Sequence, residues 1–317
     1  MRFDSFFDSL SIKAGVLAIL TLGGCIATTY PYMRAETAQR IAAPAWMIKR
    51  DIPADPFMLR AYERIHEQGG SANIYIEGES YLYTGEDEKR KTTTPYNPVG
   101  LHLASKDKAE NVIYLARPCQ YTGMLSITEE CDERYGEEAS FSEDVIASYN
   151  TVLDEIAKRY SIHTFNIIGF GGGAAIGTLL ASEREDIISL RTVAGILDHE
   201  TYTTLLGVDP MDESLNPVHE ASTLTKMPQY HFIGGRDTMV PPAVLHSYLQ
   251  SMPPTNCVQT MLIQEAEHAA GWVDKWPELL ELPVSCYNSD ASMPETTMAP
   301  TMPHDLPKTV REKPAKP

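Results

Sequence analysis

The sequence predicts an α/β protein with a mostly parallel, doubly wound sheet and flanking helices. Its predicted strands are almost continuously apolar, as expected for parallel strands that are buried on both faces. Segments with apolar residues at helical spacing alternate with them, which is typical of doubly wound sheets. The predicted strands are residues 73–76, 111–116, 163–168, 188–194, 229–234 and 258–263.

Helix signals fill the segments between these strands. Ser142 followed by two acidic residues predicts a helix start, and the apolar stripe from Val145 to Ile156 continues it. A short helix is predicted at residues 36–42. Asp55-Pro56 also has the form of a helix start, so we predict a helix from there to the Gly69-Gly70 pair, which would end it.

The chain of 317 residues carries a net charge of -17, which argues against a nucleic-acid partner because such proteins present a basic face. The segment at residues 14–22 is too short to span a bilayer and fits a signal peptide. It ends in Leu22-Gly23-Gly24-Cys25, which resembles a bacterial lipobox. An ordinary signal peptide or anchor with an incidental cysteine is the alternative.

These features predict four regions. They are a lipoprotein signal peptide at residues 1–24, a tether at 25–56, the domain with the α/β sheet at 57–287 and a disordered tail at 288–317 that is rich in Pro and Thr. The lipobox resemblance implies a lipid anchor on Cys25. It places the protein in the bacterial cell envelope, facing the periplasm, and the Ile after Cys25 favours the outer membrane.

Four cysteines remain once Cys25 is set aside: Cys119, Cys131, Cys257 and Cys286. They allow three pairings, and an oxidising compartment would permit disulfides. Proximity in sequence favours Cys119–Cys131 and Cys257–Cys286, whereas a reducing compartment would leave buried free thiols. Their spacing does not resemble a metal site.

The stretch Gly169-Phe170-Gly171-Gly172-Gly173 follows a predicted strand and opens a predicted helix. This placement is typical of the G-x-S-x-G turn that presents a nucleophilic serine, but Gly171 stands at the position of the serine. Asp237 and His268 follow later predicted strands, in the order nucleophile, acid, base. Asp198, which also follows a strand, is the alternative acid.

An oxyanion site requires two N–H donors. The Gly172 N–H is one candidate, and the N–H of Glu79 or Ser80, in the loop after the first predicted strand, is the other. That loop could instead be a glycine turn without a ligand role. Arg117 also follows a strand and could meet an anionic group, although a surface ion pair is the more common fate of such a residue.

The segments YIEGES, YLARPCQY, GFGGGA, LDH, SLNP, GGRD and EHAAGW together resemble a group of bacterial exported or lipoprotein α/β hydrolases. The resemblance spans about residues 57–275 and implies an α/β-hydrolase fold. It aligns Gly171 with the nucleophile, Asp237 with the acid and His268 with the base. In that group the G-x-S-x-G turn, called the nucleophile elbow, normally reads GYSGGGA. This sequence therefore differs from the group at the nucleophile, where Gly171 replaces serine.

Three functions are therefore open. The first is a pseudo-hydrolase that binds a small ester or acyl ligand. The second is an esterase-like hydrolase, either weakly active through a water molecule or active in a parent sequence with serine at position 171. The third is a structural envelope protein. No cofactor is expected, because the glycine-rich stretch lacks the features of a dinucleotide or phosphate-binding loop.

Overall fold

A computed structural model of the protein describes residues 32–79, 94–122 and 131–287. They form an eight-stranded sheet in the order β1-β2-β4-β3-β5-β6-β7-β8. β2 pairs with β1 and β4 in antiparallel fashion, and every other neighbouring pair is parallel. The predicted mostly parallel, doubly wound sheet is confirmed.

The strands are Ile48–Ala54 (β1), Phe57–Ile65 (β2), Ser71–Ile76 (β3), Asn111–Leu115 (β4), Thr164–Phe170 (β5), Ile187–Val193 (β6), Gln229–Gly234 (β7) and Val258–Ile263 (β8). The helices are residues 32–42 (α1), Val99–Lys106 (α2), Glu143–Tyr160 (α3), Gly172–Glu183 (α4), His199–Leu206 (α5), Pro242–Gln250 (α6) and Trp276–Leu280 (α7). Four short 3-10 turns complete the elements at Ala43–Ala45, Glu133–Gly136, Pro217–Glu220 and Thr223–Lys226.

The helix predicted from Asp55 onwards is wrong. Asp55 and Pro56 form the turn between β1 and β2, and residues 57–65 are a strand. Phe57, Leu59 and Ala61 alternate onto one face of the sheet, while Tyr62 packs in the core on the other. A short run that is buried on both faces does not distinguish a strand from a helix by its period. The sheet therefore begins inside the segment predicted as a tether.

Two apolar cores cover the two faces of the sheet, and alternate residues of each strand point into them. On β3, Ile74 and Ile76 contribute to the core under α3 and α4, while Tyr75 points into the core under α2 and α7. The apolar stripe predicted for α3 is buried throughout. Trp272 and Trp276 are buried in the second core.

The two predicted disulfides, Cys119–Cys131 and Cys257–Cys286, are both present. The segment predicted as a signal peptide, Cys25, Ser80 and the segment at 288–317 predicted as a disordered tail lie outside the described residues. Among the helices of the described part, none is both long enough and apolar enough to cross a membrane.

Candidate active site

The turn between β5 and α4 places Gly171 at the carboxyl edge of the sheet. Gly171 has φ 52° and ψ −122°, a left-handed conformation that glycine adopts far more readily than other residues. Its N–H donates to the Val193 carbonyl, and its own carbonyl accepts from Ala174 and Ile196. The elbow predicted from the sequence is thus present and is held on both sides.

Gly173 allows α4 to approach the end of β3. A Cβ atom at this position would lie 2.3 Å from the Ile76 carbonyl oxygen and 2.5 Å from that of Glu77. Any larger residue would push α4 away from the sheet. The close approach brings the loop of residues 77–79 next to the first N–H groups of α4.

His268 and Asp237 meet at the same edge, as predicted. The Asp237 side chain is fully buried, and its Oδ2 lies 3.0 Å from His268 Nδ1. Its Oδ1 accepts from the backbone N–H groups of Met239 and Val240, at 2.8 Å each. Trp272 Nε1 donates to the His268 carbonyl at 2.9 Å, so the backbone of His268 is anchored while Asp237 orients its imidazole.

Asp198, the alternative acid, does not contact His268. It is the N-cap of α5, and its Oδ1 accepts from the N–H groups of Glu200 and Thr201 and from Asn216 Nδ2. Its Oδ2 accepts from Thr201 Oγ1 and from Ser247 Oγ, at 2.6 Å each. Both oxygens are engaged locally, so Asp198 holds α5 and α6 together.

The Glu79 side chain occupies the space beside the elbow. Its Oε2 accepts from the Gly172 N–H at 2.5 Å, and its Oε1 lies 3.1 Å from His268 Nε2. A Cβ atom built on Gly171 would be 2.9 Å from each carboxylate oxygen. The carboxylate thus lies against the Gly172 N–H, the imidazole of His268 and the apex of the elbow at once.

The prediction for Glu79 concerned its backbone N–H, and the structure adds a different role for its side chain. A hydrogen bond with its own backbone N–H is among the causes that lower the pKa of the Glu79 carboxyl. The Gly172 N–H, predicted as an oxyanion donor, donates to the Glu79 carboxylate in this structure.

Neighbouring opposite charges determine the pKa values of Glu79 and His268. Burial alone would raise the pKa of Glu79, but the hydrogen bond and charge of His268, together with the charge of Arg117, lower it to about 2. Burial acts to lower the pKa of His268, whereas its hydrogen bonds with Asp237 and Glu79 raise it to about 9. At neutral pH the site therefore holds an imidazolium between two carboxylates.

Arg117 faces the site from the end of β4. It is only 5% exposed, and its Nη2 donates to the Ser140 carbonyl at 3.1 Å. Its guanidinium lies over the Phe141 ring, and its charge acts on Glu79. The surface ion pair that sequence reasoning favoured for Arg117 is wrong, because the side chain is buried beside a carboxylate.

Glu77 anchors the loop that carries Glu79. Its carboxylate accepts from the N–H groups of Gly78 and Gly100 at 3.0 Å and from that of Leu101 at 3.4 Å. Gly100 and Leu101 lie in the first turn of α2, where N–H groups are not used by the helix itself. Burial raises the pKa of Glu77 to about 7 despite these donors.

A cavity of about 430 Å³ adjoins Glu79 and Arg117. Apolar side chains of Phe141, Ile196, Tyr202, Val208 and Met211 contribute much of its wall. Its remaining lining residues are Gly136, Glu137, Glu138, Ser140, Thr203, Gly207, Asp209 and Pro210. The space is large enough for a small organic ligand whose polar end faces the elbow.

Sequence reasoning missed the side-chain roles of Glu79 and Glu77. The signal was a pair of acidic residues around Gly78, directly after a buried strand.

Within the described ranges there is no group of three side chains suited to hold a metal ion. The groups that meet at the site are the imidazole of His268, the carboxylates of Asp237 and Glu79, and the Gly172 N–H, with the guanidinium of Arg117 nearby.

No model of a protein family matches the chain, and no curated protein matches it. Among solved structures, an α/β serine hydrolase homologue from Coxiella burnetii is 15% identical, with TM-score 0.49, covering 74% of this chain and 94% of that chain. Est1E from Butyrivibrio proteoclasticus is 16% identical, with TM-score 0.48 and coverage of 73% and 97%. An α/β serine hydrolase from Xanthomonas campestris is 12% identical, with TM-score 0.45 and coverage of 74% and 89%.

The chain has the α/β-hydrolase fold. Its own features carry this conclusion: the sheet order with one reversed strand, the elbow after β5, and an acid and a histidine after β7 and β8.

Proposed function

We propose that the protein is a pseudo-hydrolase that binds a small ester or acyl ligand without forming an acyl-enzyme. One observation carries the proposal: the acid–histidine pair Asp237–His268 is intact, while the residue at the apex of the elbow, Gly171, has no side chain. Covalent catalysis needs a nucleophile beside the base. Here the atom next to His268 Nε2 is a carboxylate oxygen of Glu79.

Direct hydrolysis through water is disfavoured by the same geometry. The Glu79 carboxylate fills the space beside His268 Nε2 in which an attacking water would have to be activated. In addition, a pKa of about 9 keeps His268 protonated at neutral pH, so the imidazole cannot accept a proton there. Binding is thus the better supported function for the cavity.

Restoring the nucleophile tests the proposal. Gly171→Ser alone places a side chain 2.9 Å from the Glu79 oxygens, so Glu79→Ala should be combined with it. We expect turnover of short p-nitrophenyl esters and labelling by a fluorophosphonate only in the double variant of the whole chain. Adding His268→Ala to the double variant should abolish both signals, because the serine then lacks its base.

Two results would contradict the proposal. One is a parent protein that hydrolyses esters in a His268-dependent manner. The other is a folded double variant that neither turns over nor labels, since Asp237 and His268 would then not be the pair of a hydrolase site. Circular dichroism and a cooperative urea transition for each variant separate loss of function from loss of fold.

The location of this binding site is part of the proposal. We place the protein in the bacterial cell envelope, anchored to the outer membrane by lipid on Cys25. The two disulfides support export, because such bonds persist in oxidising compartments. Incorporation of labelled palmitate in a bacterial host tests the anchor. Cys25→Ala should abolish incorporation, and incorporation that persists in this variant would contradict the assignment.

A further inference from the structure

We propose that the natural ligand is an organic monocarboxylate, and that its carboxylate takes the place now held by the Glu79 side chain. This inference rests on the proposed function and specifies the ligand class of the same site. In it, Glu79 acts as an internal competitor that fills a carboxylate site until a ligand displaces it.

The donors of this site match both oxygens of a carboxylate. The Gly172 N–H serves Oε2 at 2.5 Å, and His268 Nε2 lies 3.1 Å from Oε1. Neither donor depends on Glu79 for its position. Gly172 begins α4, and His268 is fixed by Asp237 and by the indole N–H of Trp272. A ligand carboxylate would find the same two donors once Glu79 moves aside.

Among the ester and acyl ligands of the proposed function, the local charge favours a free carboxylate over a neutral ester. With Glu79 turned away, the guanidinium of Arg117 loses the carboxylate on which its charge acts, while the imidazolium of His268 keeps its partner Asp237. The cluster then carries an excess positive charge in a largely buried place, which is costly unless an anion replaces it. A neutral ester or alcohol supplies no compensating charge, whereas a carboxylate restores the original balance.

The adjoining cavity determines the rest of the ligand. Phe141, Ile196 and Met211 offer an apolar wall next to Glu79 and Arg117, so the tail of the ligand should be apolar close to its carboxylate. Glu137, Glu138 and Asp209 also line the cavity, and they disfavour a second negative charge on the tail. Monocarboxylates should therefore bind better than dicarboxylates of the same length.

A matched series of compounds tests the proposal on the whole chain by isothermal titration calorimetry. Octanoate, suberate and octanol share a chain of similar length and differ in charge at their ends. Glu79→Ala should bind octanoate at least about tenfold more tightly than the parent, because the internal competitor is absent. Suberate should bind about tenfold more weakly than octanoate, and octanol should gain little from the substitution.

A second readout reports on the site itself. In Glu79→Ala the pKa of His268 should fall, and saturating octanoate should return it toward about 9, the value in the parent, as followed by the imidazole resonances in NMR. Glu185→Ala is the control, because Glu185 is exposed and lies beyond the far end of α4. This control should bind octanoate as the parent does.

Equal tightening for octanol and octanoate would overturn the inference, since the cavity would then recognise only an apolar chain. A folded Glu79→Ala variant that does not bind octanoate more tightly than the parent would overturn it as well. Both results leave the proposed function intact if the Gly171→Ser, Glu79→Ala double variant hydrolyses esters. Failure of that variant, in contrast, counts against the proposed function.

Discussion

Two carboxylates that lie two residues apart, Glu77 and Glu79, have opposite electrostatic environments. Both belong to the loop after β3. Glu77 is 1% exposed and accepts from backbone N–H groups at the start of α2. Glu79 faces His268 and Arg117. Burial raises the pKa of Glu77 to about 7, whereas the cationic neighbours of Glu79 lower its pKa to about 2.

The difference shows what is needed to keep a buried carboxylate ionised. Three backbone donors do not offset the loss of solvation at Glu77, but a hydrogen-bonded cation does so at Glu79. At neutral pH the loop thus combines Glu77, which is protonated in about half of the molecules, with Glu79, which is ionised. Substitutions at Glu79, at Glu77 and at the neighbouring Gly171 test this difference.

The largest effect is expected from Glu79 in acid. Its folded pKa lies below the ordinary value of 4.5, so its stabilising contribution is present above about pH 4.5 and is lost as the pH falls toward about 2. A shift of this size corresponds to about 3 kcal/mol of unfolding free energy. Urea unfolding across this range should show this loss in the parent and a much smaller one in Glu79→Gln. Parallel profiles of the two proteins would contradict the assignment.

Glu77 should act in the opposite direction at higher pH. Its folded pKa is raised, so its contribution is present below about pH 4.5 and is lost as the pH rises through about 7. The parent should therefore lose unfolding free energy between these pH values. Glu77→Gln should lose up to about 2–3 kcal/mol less than the parent. The measurement is the same urea series, and an unchanged slope in Glu77→Gln would show that Glu77 titrates normally.

A smaller effect concerns the imidazole. His268 has a raised pKa of about 9, so its contribution is present below about pH 6.5 and is lost as the pH rises through about 9. Glu79→Gln removes one of its two anions and should lower the pKa of His268 by about one unit, or about 1.4 kcal/mol. NMR titration of His268 measures this, with Glu77→Gln as the variant that should leave the value in place.

The smallest effect concerns crowding between Glu79 and the elbow. Gly171→Ala adds a Cβ atom at positive φ, 2.9 Å from the Glu79 oxygens. Gly70 also has a positive φ, and a Cβ there would meet no atom within 4 Å, so Gly70→Ala reports the cost of a positive φ without crowding. We expect Gly171→Ala to cost about 1 kcal/mol more than Gly70→Ala. Glu79→Ala should remove part of that excess, and equal costs for the two glycines would argue against crowding.

Much of the fold was predictable because buried parallel strands leave a strong apolar signal. The six predicted strands and the helices α3 and α4 are present close to their predicted positions. The β1–β2 hairpin was missed because the run from Phe57 to Ile65 is buried on both faces. The hydrophobicity of such a run shows neither the two-residue period of a half-buried strand nor the 3.6-residue period of a helix. Whether it pairs as a strand depends on β4, its neighbour in the sheet.

For the site, the sequence by itself determined the elbow, its glycine, and the order of the acid and the histidine. These follow from local chemistry: glycine tolerates the positive φ of Gly171, and residues after parallel strands meet at one edge of the sheet. The sequence favoured Asp237 over Asp198 as the acid but did not exclude Asp198. The tertiary structure separates the two candidates. Both oxygens of Asp198 are engaged around α5, whereas Asp237 contacts His268.

Only the tertiary structure decided what fills the site. Glu79 and His268 are separated by 189 positions in the chain, and no local pattern predicts that they meet. Their contact depends on the close approach of α4 to β3 at Gly173 and on the position of the loop that follows β8. Electrostatic energy depends on distance and burial rather than on order in the chain, so the pairing of the Glu79 carboxylate with His268 appears only after folding.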